Sequence, residues 1–170
     1  MNDLDVLLVM NPQNSFFDET GSVYMGPKAE VLKVRLVDLL SNFSKTKVFF
    51  REKHAPEDTF FVGDKTHSIA TTFDYDAYEG LRKHANLFFD KTRYNALYNT
   101  QLEAFLKQKN VKRVGLAGVE THTSILFTAE DLRNKGYEVT VIEPCVMSRD
   151  DYFHGYAINV MRHFLGVRVI

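Results

Sequence analysis

The chain has 170 residues, with 22 acidic against 21 basic side chains and a formal net charge of −1. That length fits one domain spanning 1–170 with a buried core, and the balanced charge excludes a broad nucleic-acid surface, which needs clustered Lys and Arg. Hydrophobic residues at 45% and charged residues at 25% exclude a disordered chain. No apolar run approaches the roughly 20 residues of a membrane span. The lone cysteine, Cys145, rules out an intramolecular disulfide and points to a reducing compartment. Met1 to Asp5 lack the basic and apolar parts of a signal peptide, so the expected location is the cytoplasm.

Short apolar runs alternate with amphipathic segments along the chain. Val6 to Met10 reads as a buried strand, ended by Asn11-Pro12 because proline cannot donate to a ladder. Leu32, Leu36, Leu39, Leu40 and Phe43 have helical spacing and predict a helix over 28–43. Lys47 to Arg51 predicts a second strand. Residues 52–85 keep no period and predict a long excursion with one short helix near Tyr75–Arg82. Asn86 to Asp90 predicts a third strand, and Tyr98, Leu102, Phe105 and Leu106 mark a helix face. Arg113 to Val119 predicts a fourth strand. Ile125, Ala129 and Leu132 mark another helix, with Gly136 as its C-terminal cap. Glu138 to Ile142 predicts a fifth strand. Ile158, Met161 and Leu165 mark the last helix, before a sixth strand at Val167–Ile170. The pattern predicts an α/β, three-layer, Rossmann-like fold: a six-stranded, mostly parallel sheet with helices on both faces.

Sheets of this kind bind ligands beyond the carboxyl ends of their strands. Asn11 to Phe17, Lys91 after the third strand, and Gly118 to Ser124 all fall there. Each stretch also has a plain reading: a polar turn, a solvated lysine, and hydroxyl caps of the following helix. Glu52 and His54 are two apart at a strand end, and His67 lies within the excursion. A carboxylate and two imidazoles can hold a divalent metal, although three polar loop residues are commonly only solvated. Cys145 reads as small buried filler and His154 as a packing residue on an apolar helix face. Phe16, Phe17, Phe60, Phe61 and Phe73 are the aromatics available to line a pocket for a flat ring.

Together, these stretches resemble the isochorismatase-like hydrolase superfamily, which includes nicotinamidases and related cysteine hydrolases. The resemblance covers nearly the whole chain. Leu8-Val9-Met10-Asn11-Pro12-Gln13-Asn14-Ser15-Phe16 with Gly21-Ser22 resembles the first-strand motif, in which an Asp normally stands where Asn11 is. Lys91 to Leu97 resembles the lysine segment. Gly118-Val119-Glu120-Thr121-His122-Thr123-Ser124-Ile125 resembles the Gly-x-x-Thr-x-x-Cys-Val segment. The resemblance implies a cis peptide near Val119-Glu120 and a homo-oligomer, dimer or tetramer. It also implies catalytic positions at Asn11, Lys91 and Ser124, and a substrate site formed by Phe16, Val119 and Glu120. No cofactor is required by the triad. Glu52, His54 and His67 resemble the family's Asp-x-His and distant His, and so imply a divalent metal such as zinc. The partner expected is a small molecule, with no nucleic acid and no membrane.

Two of the three triad positions depart from the pattern. Asn11 cannot accept a proton at neutral pH. A serine hydroxyl needs a neighbouring base more than a thiol does. Neither the cysteine amidase route nor the isochorismatase route, in which the Asp acts as acid, is complete. The expectation is a family protein that binds a small carbonyl or amide compound with impaired cysteine-dependent amidase chemistry. Two other readings stand beside it. One is an active hydrolase of small amides that uses Ser124 or a metal-bound water, helped by another carboxylate such as Asp18 or Glu120. The other is a non-catalytic structural or regulatory subunit.

Overall fold

The structure is a computed structural model and describes residues 3–60 and 65–170; Phe61, among the aromatics considered for a pocket, lies outside the described residues. Six strands form one sheet in the order β3-β2-β1-β4-β5-β6. They are β1 Val6–Met10, β2 Thr46–Glu52, β3 Leu87–Lys91, β4 Arg113–Val119, β5 Glu138–Met147 and β6 Arg168–Val169. Every strand pair is parallel, so the sheet is fully rather than mostly parallel. The five residues of β1 are all buried, as a central strand covered on both faces must be.

Alternation along the strands divides the core. Leu7, Val9, Phe49, Ala117 and Val119 pack with α2 (Pro27–Asn42) and α3 (Glu79–Arg82) through Leu32, Leu36, Leu39 and Leu81. Val6, Leu8, Met10, Val48, Phe50 and Leu116 face the other way. They meet α4 (Leu102–Gln108), α5 (Leu126–Asn134) and α6 (Asp151–His163). The result is helix, sheet, helix in three layers.

Several boundaries differ from the sequence expectation, each for a local reason. Asn14–Phe17 forms a one-turn helix, α1, where a polar turn was expected; its side chains are buried, so it packs as part of the core. Tyr98 is 50% exposed and precedes α4, which starts only at Leu102, so it does not belong to that helix face. Leu165 follows the end of α6. Strand β5 runs to Met147, past a register irregularity opposite Leu116 and Gly118 in β4. The short helix expected near Tyr75–Arg82 is split into a 3-10 turn at Phe73–Tyr75 and α3. Gly136, at φ 86°, closes α5 in the left-handed conformation that a glycine adopts without a Cβ clash.

The sheet order places its switch point at β1 and β4. From β1 the chain builds outward through β2 and β3, then returns to add β4 on the other side. Such a point opens a crevice beyond the strand ends. The residues that follow β1 and β4 there are Asn11 and the segment leading to Ser124.

A buried polar centre at the switch point

Four elements deliver four polar side chains to one spot. Asn11 leaves β1 at φ 51°, a left-handed conformation that asparagine tolerates better than most residues. Glu52 ends β2 and Lys91 ends β3, and parallel register sets the two directly side by side. Ser124 sits in a π-helical turn, Thr121–Ile125, which follows the cis peptide Val119-Glu120. All four are buried, Ser124 completely.

The contacts converge on a single carboxylate oxygen. Glu52 Oε1 accepts from Asn11 Nδ2 at 2.9 Å, from Lys91 Nζ at 2.9 Å and from Ser124 Oγ at 3.3 Å. Ser124 Oγ in turn accepts from Asn11 Nδ2 at 3.2 Å and from Lys91 Nζ at 3.1 Å. The Gln13 side chain holds the backbone of Glu52 from both sides. It accepts from the Glu52 amide at 2.7 Å and donates to the Glu52 carbonyl at 2.9 Å.

The second oxygen of Glu52 faces the histidines. His67 Nε2 lies 2.8 Å from Glu52 Oε2, and His54 Nε2 lies 3.7 Å from it. The carbonyl of Lys65, 2.7 Å from His67 Nδ1, accepts from it and so turns Nε2 to the carboxylate, where a hydrogen bond needs a second ring proton and metal ligation needs none. Asp58 Oδ2 lies 3.4 Å from His54 Nδ1. The candidate ligand atoms of Glu52, His54 and His67 all lie within 4.8 Å of one another. One carboxylate oxygen and two oriented imidazoles fit the donor preferences of a divalent ion such as zinc.

Burial pushes the Glu52 carboxyl up, but the Lys91 ammonium and the two imidazoles outweigh it and hold the group well below the usual carboxylate range. Burial pulls the Lys91 ammonium down, against the opposing pull of Glu52. A buried ion pair of this kind persists because further hydrogen bonds satisfy both partners. Here Asn11, Ser124 and the carbonyl of Arg93 supply them.

The structure thus brings Asn11, Lys91 and Ser124 together, and it joins Glu52, His54 and His67 to them. The other three expected site residues sit differently. Phe16 is a core residue whose ring meets His67 edge-on at 5.5 Å. Val119 is fully buried at the end of β4. Glu120 is held by Arg149, which donates to it from its backbone amide, Nε and Nη2 at 2.9–3.0 Å. Asp18, the other spare carboxylate considered, accepts from the backbone and hydroxyl of Thr20. The carboxylate that reaches Ser124 is Glu52, which the sequence reading had placed only with the histidines. Sequence spacing carried no signal for this contact, because Glu52 and Ser124 are 72 residues apart and meet only through the strand register.

Aromatic rings lead outward from this centre. Phe16, His67, His54, Phe60, Tyr94 and Phe127 are linked by successive ring contacts of 4.6–6.0 Å, and Phe127 is 46% exposed. Phe17 is core, and Phe73 is exposed away from these contacts. A crevice of about 630 Å³ lined by Asp5, Lys45, Asn86 and Lys109 lies at the opposite, amino-terminal end of β1 and β2, away from the polar centre. Cys145 is buried against α2, its thiol 3.5 Å from the Arg35 carbonyl and pushed up to about 11 by burial. His154 Nδ1 lies 2.9 Å from Thr121 Oγ1.

The isochorismatase domain model matches residues 5–169. The chain belongs to the isochorismatase family. An uncharacterized family member, PncA of Bacillus subtilis, is 27% identical over 96% of this chain and 97% of its own length. The crystal structure of nicotinamidase/pyrazinamidase PncA from Bacillus subtilis superposes with a TM-score of 0.88 at 28% identity, covering 96% of this chain and 97% of that one. Pyrazinamidase/nicotinamidase from Streptococcus mutans gives 0.87 at 26% identity, covering 97% and 99%. The isochorismatase fold accounts for the sheet order. No helix among the described residues is long and apolar enough to cross a membrane.

Proposed function

We propose that this isochorismatase-family protein binds a small amide or carbonyl compound at the Asn11–Lys91–Ser124 centre, and that the cysteine-dependent amide cleavage of a nicotinamidase-like enzyme is impaired in it. One observation carries the reading: the Asn11 amide donates to Ser124 Oγ. A group that donates to the nucleophile's oxygen cannot remove its proton, and a hydroxyl left in place of a thiol needs that removal most. Lys91 supplies positive charge for a polar carbonyl oxygen or a carboxylate. The ring contacts from His54 through Phe60 to Tyr94 favour a flat ligand over a bulky one. Because Ser124 is fully buried, ligand entry requires the side chains over the centre to part.

Glu52, His54 and His67 would hold the divalent ion, with zinc the candidate their donor set favours. Bound there, it would supply a Lewis acid for a carbonyl or an activated water. Within the chain itself, Lys65 and Asp58 orient the two imidazoles and Gln13 fixes the carboxylate arm. We further propose a cytoplasmic homo-oligomer, to be checked by sedimentation.

Ammonia release and thermal stability test the reading together. Nicotinamide, benzamide and the corresponding ring acids are expected to raise the melting temperature of the wild type, since binding to the native state stabilises it. The wild type is expected to release little or no ammonia. A variant carrying Asn11→Asp, Glu52→Asp and Ser124→Cys is expected to release it from at least one amide. Rapid wild-type turnover overturns the impaired-amidase reading, and the absence of any ligand-induced shift overturns the binding reading.

A further inference from the structure

We infer that Glu52 is a catalytic residue: it accepts the proton of Ser124 from the β2 side of the centre and supports slow acyl transfer from activated esters onto Ser124. This rests on the ligand site proposed above and adds a chemistry to it. The direction of one hydrogen carries the argument. Three polar groups of the centre lie within hydrogen-bond reach of Ser124 Oγ: Asn11 Nδ2, Lys91 Nζ and Glu52 Oε1. An ammonium has no acceptor, and an amide nitrogen only donates. The Asn11 amide cannot be turned the other way, because its oxygen would then face Glu52 Oε1, an acceptor at 2.9 Å. Among the described residues, the serine hydroxyl therefore has one acceptor to point at, and that acceptor is a carboxylate. A nucleophile whose proton is aimed at a carboxylate, with a cation beside the same oxygen, is the arrangement that activates a hydroxyl; Glu52, ion-paired to Lys91, is a weak base, which confines the step to slow transfer from activated esters.

The reaction balances within these groups. Ser124 Oγ bonds to the ester carbonyl carbon as its proton passes to Glu52 Oε1, and the carbonyl π pair becomes an oxyanion near the Lys91 ammonium. Collapse restores the carbonyl and breaks the ester C–O bond. The leaving phenolate takes the proton from Glu52, which returns to carboxylate. Water then adds to the acyl carbon and gives a proton to Glu52. Glu52 passes that proton to Ser124 Oγ as the acyl C–O bond breaks, releasing the acid and regenerating serine. An ester with a phenolate leaving group suits this centre better than an amide, whose nitrogen must be protonated to depart. Glu52 Oε2 stays turned to His67 throughout.

The probe is 4-nitrophenyl acetate, with nitrophenol release and mass spectrometry of the Ser124 peptide as readouts. Protein is used before and after chelator treatment. Wild type is expected to carry acetyl on Ser124 in both states, and Ser124→Ala to carry none on that peptide. Glu52→Asp keeps the charge that pairs with Lys91 but withdraws the oxygen by one methylene. It should acylate about 10²-fold more slowly, with both proteins compared below the melting temperature of the variant. If wild type shows no acetyl on Ser124, or Glu52→Asp acylates as fast, the inference fails. It also fails if chelator abolishes ester turnover that Ser124→Ala retains, which would mark a metal-dependent route. A ring acid that raises the melting temperature without any acylation sinks this inference alone and leaves the binding site standing.

Discussion

Asn11 Nδ2 and Glu52 Oε1 lie 2.9 Å apart, an amide and a carboxylate from adjacent parallel strands meeting at the heart of the switch point. The contact works only because one of the two is neutral. Two carboxylates at this distance cannot both stay ionised in a buried site. Asn11→Asp alone is therefore expected to cost about 3 kcal/mol, the scale of an uncompensated buried charge. Adding Glu52→Gln should recover most of that loss. Urea unfolding of the two single variants and the double variant measures the coupling. Additive losses would mean that the two positions do not share one charge.

Lys91 is the other half of the balance. Lys91→Met removes the ammonium bonded to Glu52 Oε1 and leaves the carboxylate buried without its cation. The expected loss is about 3–5 kcal/mol. Lys91→Met combined with Glu52→Gln should be less destabilised than Lys91→Met alone, since a neutral amide needs no counter-charge. If the single variant unfolds at the wild-type urea midpoint, the pair contributes nothing to stability.

The histidine side of Glu52 predicts metal-linked stability. At a zinc concentration of about 100 times Kd, a single site adds about 2.7 kcal/mol to the native state. His67→Ala removes the imidazole 2.8 Å from Glu52 Oε2 and should abolish the zinc-dependent rise in melting temperature. Ser124→Ala should keep it, because Ser124 faces the other carboxylate oxygen. Equilibrium dialysis gives the stoichiometry. An equal zinc response in His67→Ala would remove this cluster from consideration.

The sheet was legible because its strands are short apolar runs bounded by Pro, Gly or charged residues, and β1 and β4 were read to the residue. The family motifs also brought Asn11, Lys91 and Ser124 to one place. What sequence could not give was the reach of a side chain. Glu52 lies 41 residues from Asn11 and 72 from Ser124, and only the register of β1, β2 and β3 turns those separations into hydrogen bonds. Glu120 shows the converse. It lies four positions before Ser124, yet its carboxylate is taken by Arg149. Periodicity also hid the breaks in the 52–85 excursion, where Ser68 and Thr71 adopt positive φ and the chain is held by bonds such as Ser15 to Ser68 at 2.8 Å.

Gly118 is the backbone position on which the centre depends most directly. Its φ is 103°, and a Cβ built there would fall 2.1 Å from the Met10 carbonyl oxygen. Gly118→Ala must therefore push β4 away from β1 one residue before Asn11. The expected result is a loss of several kcal/mol, above the usual range for a surface change, together with loss of ligand-induced stabilisation. A variant that melts like the wild type and still responds to ligand would show that β1 and β4 separate freely at this end.

Asp5, at the far end of β1, sets an acid limb independent of the centre. Burial pushes its carboxyl up. The Arg113 guanidinium and the backbone amides of Lys112 and Arg113 more than offset this and hold it at about 2. An unfolded Asp titrates near about 3.9. Between those values the unfolded chain binds more protons than the native one, so stability rises with pH across the interval. The contribution of Asp5 is fully present above about pH 4 and is lost as pH falls toward about 2. Asp5→Asn removes the titration, so the melting temperature of the variant should fall less steeply than that of the wild type between pH 4 and about 2. At neutral pH the variant should be the less stable of the two, since the amide accepts those backbone and guanidinium bonds less strongly than a charged carboxylate. Parallel acid limbs in the two proteins would place the acid sensitivity elsewhere and leave the Asp5–Arg113 contact a surface pair of little consequence.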